Sequence, residues 1–408
     1  MVRNREDLIV STLDRFHCIG GECPETCCSG WNVHIDKSTY QAYKTSKNIK
    51  ITEIARENLH IKKTDRSAKN YAVVGMSKNG GCAFLSNDGL CNVQSLIGEA
   101  LLSKTCRTYP RKIKKFKNRT ITSAMLSCPE FARLTLLETS PIDLRPAAVR
   151  GNFDKNHATA KYNFQNVDVE IDDKILLLIN TALAVASLEH LPSSKKCLAI
   201  WGLMKNFLAD KEEINPDSVN NFIIPLVTDL AAKDLGISQL SASNFQLELF
   251  LNILVRPNVD ALSRKTFVIL LKEISEVLCK PQQQFGEQLE IFHSAKVHTL
   301  KAFEESHSSF WPNILRTELA GLPEMFLSKN LNAEAALKLM FARLALLRFI
   351  IIGVAACKGT EFSQDDYIKC VYSTSRAIEH DKRMTDQLML ALEQREENSL
   401  LVSALLLD

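Results

Sequence analysis

The chain has 408 residues, of which 46% are hydrophobic and 24% are charged, and its formal net charge at pH 7 is +3. This composition is typical of a globular protein and excludes a disordered chain, while the length favours two domains over one. The charged N-terminus lacks the apolar segment of a secretory signal. The apolar run 344–357 contains Arg348 and is shorter than the roughly 18 to 20 residues that span a bilayer. We therefore expect a cytoplasmic protein with a buried helix at 344–357 and no membrane contact.

Short strands and helices are predicted at the start of the chain. Alternating apolar and polar residues favour strands at 31–36 and 71–76. Helical periodicity predicts a helix over 37–60, with Asp36 or Ser38 as its N-cap. These elements describe a small domain of mixed α and β structure.

Three further cysteine-bearing elements follow. Turn residues between Cys82 and Cys91 predict a hairpin whose two ends each carry a cysteine. Residues 93–104 predict a helix that delivers Cys106 and stops before Pro110, because proline cannot continue a helix.

A basic stretch occupies residues 111–119, with six lysine or arginine side chains and no acid. We predict an exposed strand or hairpin there. Clusters of this kind can neutralise phosphates, so nucleic-acid binding is one interpretation. However, Phe116 is its one aromatic residue and no known binding motif accompanies it, so we favour a solvated or protein-docking face and expect no nucleic-acid partner.

The second half of the chain is predicted to be helical. Prolines and glycines loosen the pattern around 140–165, which predicts a boundary between a cysteine-rich domain, 1–150, and a helical domain, 165–408. Apolar residues recur every three or four positions afterwards. Helices are predicted at 173–188, 194–209, 244–255, 265–279, 288–305, 333–357 and 364–381. The predicted fold class is mainly α: an N-terminal cysteine-rich α+β domain with short strands around a metal centre, followed by an all-α domain.

Cysteines are concentrated in the first third of the chain, which holds eight of the twelve. These eight are Cys18, Cys23, Cys27, Cys28, Cys82, Cys91, Cys106 and Cys128. In the reducing cytosol such a cluster indicates metal ligation or redox chemistry more than a disulfide framework. The other four are scattered singly and are typical of small apolar core residues.

Thiolates are soft ligands that select zinc or iron–sulfur centres. Structural zinc sites favour pairs of cysteines two residues apart, which this region lacks, so the irregular spacing favours an iron–sulfur cluster over zinc. Eight thiols allow one centre or two, and the adjacent Cys27 and Cys28 could serve different sites because their side chains point to opposite sides of an extended chain. The radical S-adenosylmethionine motif is excluded, because Gly30 stands where its third cysteine would be.

Five segments resemble, in this order, those of the flagellin lysine-N-methylase family. They are FHCIGGECPETCCSGW (16–31), CAFL (82–85), GLC (89–91), CRTYP (106–110) and CPE (128–130). The family is part of a wider group of cysteine-cluster proteins associated with zinc or iron binding. The resemblance covers essentially the whole chain. It implies methyl transfer from S-adenosylmethionine to flagellin lysines, with the eight cysteines holding an iron–sulfur cluster, [4Fe–4S] in type, or zinc as the alternative.

Candidate site residues other than cysteine have structural alternatives. Catalytic candidates are Tyr109, Glu130 and His380, and cofactor-binding candidates are Trp31, Arg107 and Arg376. Trp31 could instead anchor the core, Glu130 could form a salt bridge, and Arg376 and His380 could be charge-paired residues of a surface helix. His17 and His34 could each replace a thiolate as a metal ligand. No glycine-rich nucleotide-binding turn is present, so the cofactor rests on the family resemblance.

The sequence thus favours a lysine N-methyltransferase that acts on flagellin with S-adenosylmethionine and contains an iron–sulfur cluster. The alternative is a non-enzymatic iron–sulfur or zinc-binding module that senses redox state.

Overall fold

The computed structural model of the chain describes residues 6–29, 33–77, 80–116, 119–147, 173–209, 214–234, 238–255, 264–323, 333–379, 384–386 and 390. These residues are mainly helical, with short strands before residue 147, in agreement with the predicted mainly α fold. The predicted boundary region falls largely on 148–172, outside the described residues, so the division into domains stays a prediction.

The N-terminal part contains strands and short helices. The strands are β1 (Leu8–Val10), β2 (His34–Ile35), β3 (Leu59–Ile61), β4 (Ala72–Val74), β5 (Arg111–Lys115), β6 (Thr120–Ala124) and β7 (Leu144–Pro146). The helices are α1 (Lys37–Lys44), α2 (Ile49–Asn58), α3 (Asn92–Ile97), α4 (Lys104–Thr108) and α5 (Pro129–Leu136). Single 3₁₀ turns lie at Ser11–Arg15, Gly20–Glu22 and Glu99–Leu101.

The described strands form two sheets. One has the order β5-β6-β1-β7, in which β1 is parallel to β6 and antiparallel to β7. The other is the antiparallel sheet β2-β4-β3. The strands predicted at 31–36 and 71–76 are confirmed as β2 and β4, although each is shorter than predicted.

The single helix predicted over 37–60 is wrong, because the chain leaves the helix at Thr45 and begins a second one after Asn48. Asp36 is the N-cap of α1, as predicted, and accepts a hydrogen bond from the backbone N–H of Thr39 over 2.8 Å. Asn48 caps α2 in the same way through Ile51. Short polar side chains between the helices bond to nearby backbone and compete with the helical ladder, which explains the break.

The helix predicted over 93–104 is also divided. Gly98, with φ +92°, separates α3 from a 3₁₀ turn, and α4 then carries Cys106. The hairpin predicted between the next two cysteines is reduced to an isolated bridge between Leu85 and Cys91, while Cys82 pairs instead with Met76.

The basic stretch forms the predicted hairpin, because β5 pairs along its whole length with β6. The exposure predicted for it is wrong for most of β5, whose first four residues are half-buried. Lys112 lies 3.7 Å from Glu379, and the Arg111 guanidinium lies 5.0 Å from the ring centre of Phe16. These basic side chains therefore pack against the protein itself.

The C-terminal part is a set of packed helices. They are α6 (Asp173–Ala186), α7 (Ser193–Ala209), α8 (Pro216–Ala232), α9 (Gln239–Val255), α10 (Lys265–Leu278), α11 (Phe285–Ser294), α12 (Lys301–Ser306), α13 (Phe310–Ala320), α14 (Ala333–Lys358) and α15 (Gln364–Glu379). A π-helical turn, Ala295–Leu300, joins α11 to α12 within the helix predicted over 288–305. The prediction omits α8 and α13, each of which contains a proline.

The long helix α14 lies at the centre of this part. Among the described residues, one helix, 335–361, is long and apolar enough to cross a membrane, and 83% of its apolar stretch is buried inside the protein. The expectation of a buried helix at 344–357 is therefore confirmed, although the apolar stretch is longer than predicted.

Two hydrophobic cores matter for the cysteines. A large core joins the helices of the C-terminal part to β1, β6 and α5 of the N-terminal part, and it includes Cys128. A small core lies between the sheet β2-β4-β3 and helices α1 to α3, and Cys82, Cys91 and Cys106 pack against it. The cysteine-rich region thus lies where the two cores meet.

Candidate functional site

The eight N-terminal cysteines come from separate stretches of chain, and all twelve cysteines are free thiols. Cys18, Cys23, Cys27 and Cys28 lie on the loop between β1 and β2, which we call the first cysteine loop, residues 18–29. Cys82 and Cys91 lie on a second loop, Cys106 on α4, and Cys128 at the N-cap of α5.

Backbone contacts bring these stretches together. The N–H of Cys82 donates to the carbonyl oxygen of Cys28 over 2.7 Å, and an isolated bridge pairs Ser29 with Gly81. Ser103 caps α4 by accepting a hydrogen bond from the backbone N–H of Cys106 over 3.2 Å. The first loop, the second loop and α4 therefore meet at one place.

Five thiols line one cavity at this place: those of Cys27, Cys28, Cys82, Cys91 and Cys106. The rest of the wall is almost entirely apolar and consists of Val33, Ile35, Tyr43, Val74, Phe84, Val93, Leu102 and Ser103. Convergent thiols in a water-poor setting are the donor set that a soft metal requires.

The thiol of Cys28 hydrogen-bonds with the sulfurs of Cys27 and Cys91. These hydrogen bonds raise the pKa of Cys28 and favour its protonated form. They lower the pKa of Cys27 to about 7, despite its burial, and that of Cys91 to about 6. Cys28 carries one thiol proton and can donate it to one of these sulfurs at a time, so the contacts favour a thiolate, the form that binds metal, at Cys27 or at Cys91.

Burial dominates the remaining cavity thiols. It raises the pKa of Cys82 to about 11 and that of Cys106 to about 12, and the neighbouring cysteine charges add to both increases. A positive ion in the cavity would reverse this effect, since bound metal deprotonates a coordinating thiol outright. The binding of metal would therefore release protons.

Cys18, Cys23 and Cys128 are not among the residues that line the cavity. Burial raises the pKa of Cys23, and negative charge on Cys27 or Cys18 raises it further. Burial raises the pKa of Cys128 to about 12, and negative charge on Cys23 or Cys27 raises it further. The charge state of Cys27 therefore affects the pKa of thiols on the cavity wall and of thiols outside it.

The donor chemistry fits a thiolate-ligated centre, whereas the side-chain positions do not form a finished site. Within the part of the chain that the structure describes, no three histidine, cysteine, aspartate or glutamate side chains are placed to hold one metal ion.

Four of the predicted residues lie near the cysteines or support them. Tyr109 is largely buried, with its hydroxyl 3.3 Å from that of Ser127, and burial raises its pKa well above the usual value. Arg107 donates to the carbonyl oxygen of Ala100 over 3.1 Å. Glu130 forms a bidentate ion pair with Arg133 over 2.7 and 2.8 Å, the salt bridge that we considered as its alternative role.

Arg376 is the fourth, and its environment differs from the prediction. The surface-helix interpretation is wrong for this residue, since its side chain is 6% exposed. Its guanidinium contacts the first cysteine loop through Glu25 and Thr26.

Four candidates remain: Trp31, His380, His17 and His34. Trp31 and His380 lie outside the described residues. His17 is exposed and lies 3.2 Å from the carbonyl oxygen of Arg15, and His34 is exposed on β2. Sequence reasoning missed Tyr43, a wall residue of the cavity, whose hydroxyl donates to the carbonyl oxygen of Leu101 over 2.7 Å. It also missed Glu25 and Thr26.

The chain therefore combines a cysteine-rich part, in which five thiols line one cavity, with a larger helical part. This combination is typical of a protein that binds a metal through a cluster of cysteines. The profile of the FliB lysine N-methylase C-terminal domain matches residues 165–407. The chain therefore belongs to the FliB lysine N-methylase family.

Curated relatives agree with this membership. The chain is 37% identical over 116 residues to the flagellar biosynthetic protein FliU of Salmonella muenchen, a match that covers 28% of this chain and 68% of the relative. It is 37% identical over 117 residues to the lysine-N-methylase of Salmonella typhimurium, covering 28% of this chain and 29% of the relative. For the lysine-N-methylase of Salmonella choleraesuis the identity is 36% over 116 residues, covering 28% of each chain. The match thus spans less than a third of the length of either lysine-N-methylase. No solved structure matches the chain.

Proposed function

We propose that this chain is a cytoplasmic protein-lysine N-methyltransferase that uses S-adenosylmethionine to methylate lysine side chains of flagellin. The observation that carries the proposal is the match of residues 165–407 to the lysine N-methylase family. The relative named as a flagellar biosynthetic protein supports flagellin as the substrate.

The reaction needs a neutral lysine amine, because an ammonium has no lone pair with which to attack the methyl group. The amine nitrogen forms a bond to the methyl carbon as the carbon–sulfur bond of the donor breaks, and a proton leaves the nitrogen. Burial of the target lysine beside this protein would favour its neutral form. Tyr109 is a poor base for this proton, because burial holds its phenol protonated.

We further propose that the cysteines hold an iron–sulfur cluster of the [4Fe–4S] type, with zinc as the alternative. Four of the five thiols that line the cavity would hold it, and this donor set supports the proposal. Methyl transfer requires no electron, so the chemistry that the centre supplies when bound is a cross-link between the two cysteine loops and α4.

Co-expression with flagellin tests the activity. We expect mass spectrometry to find added methyl groups on flagellin lysines with the wild type and with Cys357→Ser, whose residue lies on α14 outside the cluster. Cys91→Ser should lose the modification. If a folded wild type supplied with S-adenosylmethionine leaves flagellin unmodified, the proposed activity is wrong.

Anaerobic purification tests the centre. We expect iron and acid-labile sulfide in the wild type, with the absorption of an iron–sulfur cluster, and their loss in Cys91→Ser. Zinc without sulfide would select the alternative metal. The absence of both metals would refute a metal centre while leaving the methylation test unaffected.

A second candidate is a redox-sensing module without methyl transfer. The hydrogen-bonded sulfurs of Cys27, Cys28 and Cys91 favour it, since neighbouring thiols with thiolate character oxidise readily. This function predicts reversible oxidation of these thiols and no affinity for S-adenosylmethionine.

A further inference from the structure

Arg376 on α15 connects the helical part to the first cysteine loop. Its Nη2 donates to the carbonyl oxygen of Thr26 over 2.8 Å, and its Nη1 lies 3.0 Å from Oε1 of Glu25. The two charged side chains are only 6% and 12% exposed, so the contact is shielded from water. Truncating one partner of such a buried pair strands the other charge in the interior.

The residues that Arg376 holds lie between the cysteines and also position them. The thiol of Cys23 donates to the carbonyl oxygen of Glu25 over 3.3 Å. The backbone N–H of Cys28 donates to the hydroxyl of Thr26 over 3.1 Å. A displacement of Glu25 and Thr26 would therefore move the cysteines on both sides of them.

The position of α15 extends this contact to a second stretch of the cluster. The helix packs against α5, whose N-cap is Cys128. One helix of the C-terminal part thus touches the first cysteine loop through Arg376 and supports the helix that begins at Cys128. A centre built from thiolates is negatively charged, and the guanidinium is a fixed positive charge beside it.

We propose that Arg376 is a positioning residue that couples the helical part to the cysteine site, so that metal binding and the docking of α15 on the first cysteine loop strengthen each other. The inference rests on the metal centre of the proposed function. Because a coupling free energy is reciprocal, metal binding must stabilise α15 as much as α15 favours metal binding.

The test uses the full-length, reduced protein under anaerobic conditions, with Zn²⁺ titrated against a chromogenic chelator. Hydrogen exchange is followed by mass spectrometry before and after Zn²⁺ addition. In the wild type we expect Zn²⁺ to slow exchange in peptides of α15 as well as in peptides of the first cysteine loop.

Arg376→Gln should weaken Zn²⁺ binding by about 10- to 100-fold, the usual effect of losing a residue that supports metal ligands, and should abolish the slowed exchange of α15. Glu25→Gln removes the same ion pair from the loop side and should also weaken Zn²⁺ binding, so the test still gives a result if Arg376→Gln does not fold.

Arg343→Gln is the matched control. Arg343 lies on α14 and forms an ion pair with Glu379 of α15 over 2.8 Å, and the Arg343→Gln variant should bind Zn²⁺ like the wild type.

Wild-type affinity in both Arg376→Gln and Glu25→Gln would overturn the coupling, as would unchanged exchange of α15 on Zn²⁺ binding to the wild type. Equal loss of affinity in Arg343→Gln would also overturn it, by showing a general effect on stability. A wild type that binds neither zinc nor iron would instead refute the metal centre itself, which distinguishes the two failures.

Discussion

The backbone N–H of Cys82 donates a hydrogen bond to the carbonyl oxygen of Cys28 over 2.7 Å. This contact joins two loops that are more than fifty residues apart in sequence, and it places their thiols on the wall of the same cavity. The convergence of these sulfurs is therefore built into the backbone and does not depend on a bound metal alone.

This backbone contact predicts a difference between two substitutions of Cys82. Cys82→Ser removes the thiol and keeps the N–H, whereas Cys82→Pro removes both. We expect the proline variant to be less stable than the serine variant by about 1–3 kcal/mol, because the carbonyl of Cys28 loses its donor. Chemical denaturation of the metal-free, reduced proteins measures this difference. Equal stabilities would show that the contact contributes nothing.

The hydrogen bond from Cys28 predicts the pH dependence of thiol reactivity in metal-free protein. The pKa of Cys91 is lowered to about 6, so its alkylation by iodoacetamide should be fast at pH 7 and slow as the pH falls through 6. Burial raises the pKa of Cys357 to about 11, so that thiol should react slowly throughout this range. Peptide mass spectrometry over a range of about pH 5 to 8, which includes the lowered pKa of Cys91, resolves the two profiles.

Cys28→Ala provides the control for this experiment. Without the hydrogen bond, the alkylation profile of Cys91 should shift to higher pH, while that of Cys357 stays unchanged. An unchanged profile of Cys91 in Cys28→Ala would contradict the assigned cause.

The close approach of α14 to α10 predicts that Gly353 cannot be enlarged. A Cβ atom at this position would lie 2.9 Å from two carbon atoms of the buried Ile274 side chain. We expect Gly353→Ala to lower the free energy of unfolding by about 1–3 kcal/mol through overpacking. Gly286 in α11 has no atom within 4 Å of such a Cβ, so Gly286→Ala should be neutral or stabilising, by up to about 1 kcal/mol. Thermal unfolding of both variants measures the two changes in stability. A similar change in Gly353→Ala and Gly286→Ala would contradict the predicted clash.

A buried ion pair in the helical part predicts a large loss of stability. Arg348 forms a bidentate pair with Glu304, which also accepts a hydrogen bond from the hydroxyl of Tyr367 over 3.0 Å. Arg348→Ala should destabilise the protein by about 3–5 kcal/mol, because Glu304 would be left largely buried without its partner. Lys272→Ala, which breaks an exposed pair with Glu276, should cost less than about 1 kcal/mol. Urea denaturation measures both, and a small effect of Arg348→Ala would show that water replaces the lost charge.

The sequence predicted those features that depend on local periodicity and composition. The helices of the C-terminal part follow from apolar residues recurring every three or four positions, as in α10 and α14. The same periodicity gives a wrong prediction at 45–48. There, short polar side chains form hydrogen bonds to the backbone that compete with those of a helix, and the one predicted helix is divided into two. The helices α8 and α13, which the prediction does not include, each contain a proline, a residue that is typical of a helix break.

The sequence predicts that the candidate site is a cluster of cysteines, but it does not predict which thiols lie together or which residues support them. The density of cysteines indicated a cluster, but nothing local distinguishes the five thiols of the cavity from the other three. The ion pair between Glu25 and Arg376 joins residues 351 positions apart, and each looks like an ordinary surface charge in its own stretch. Such a contact depends on tertiary packing, and a single sequence contains no signal for it.

The distance along the chain between Thr26 and Arg376, 350 residues, also has a consequence for biosynthesis. At about 5–20 residues per second, a ribosome synthesises the first cysteine loop roughly 20 to 70 s before Arg376, the residue that binds the loop. During that interval the nascent thiols are free to meet a metal donor or an oxidant without their docking partner. Final closure of the loop is therefore an event that follows synthesis of nearly the entire polypeptide.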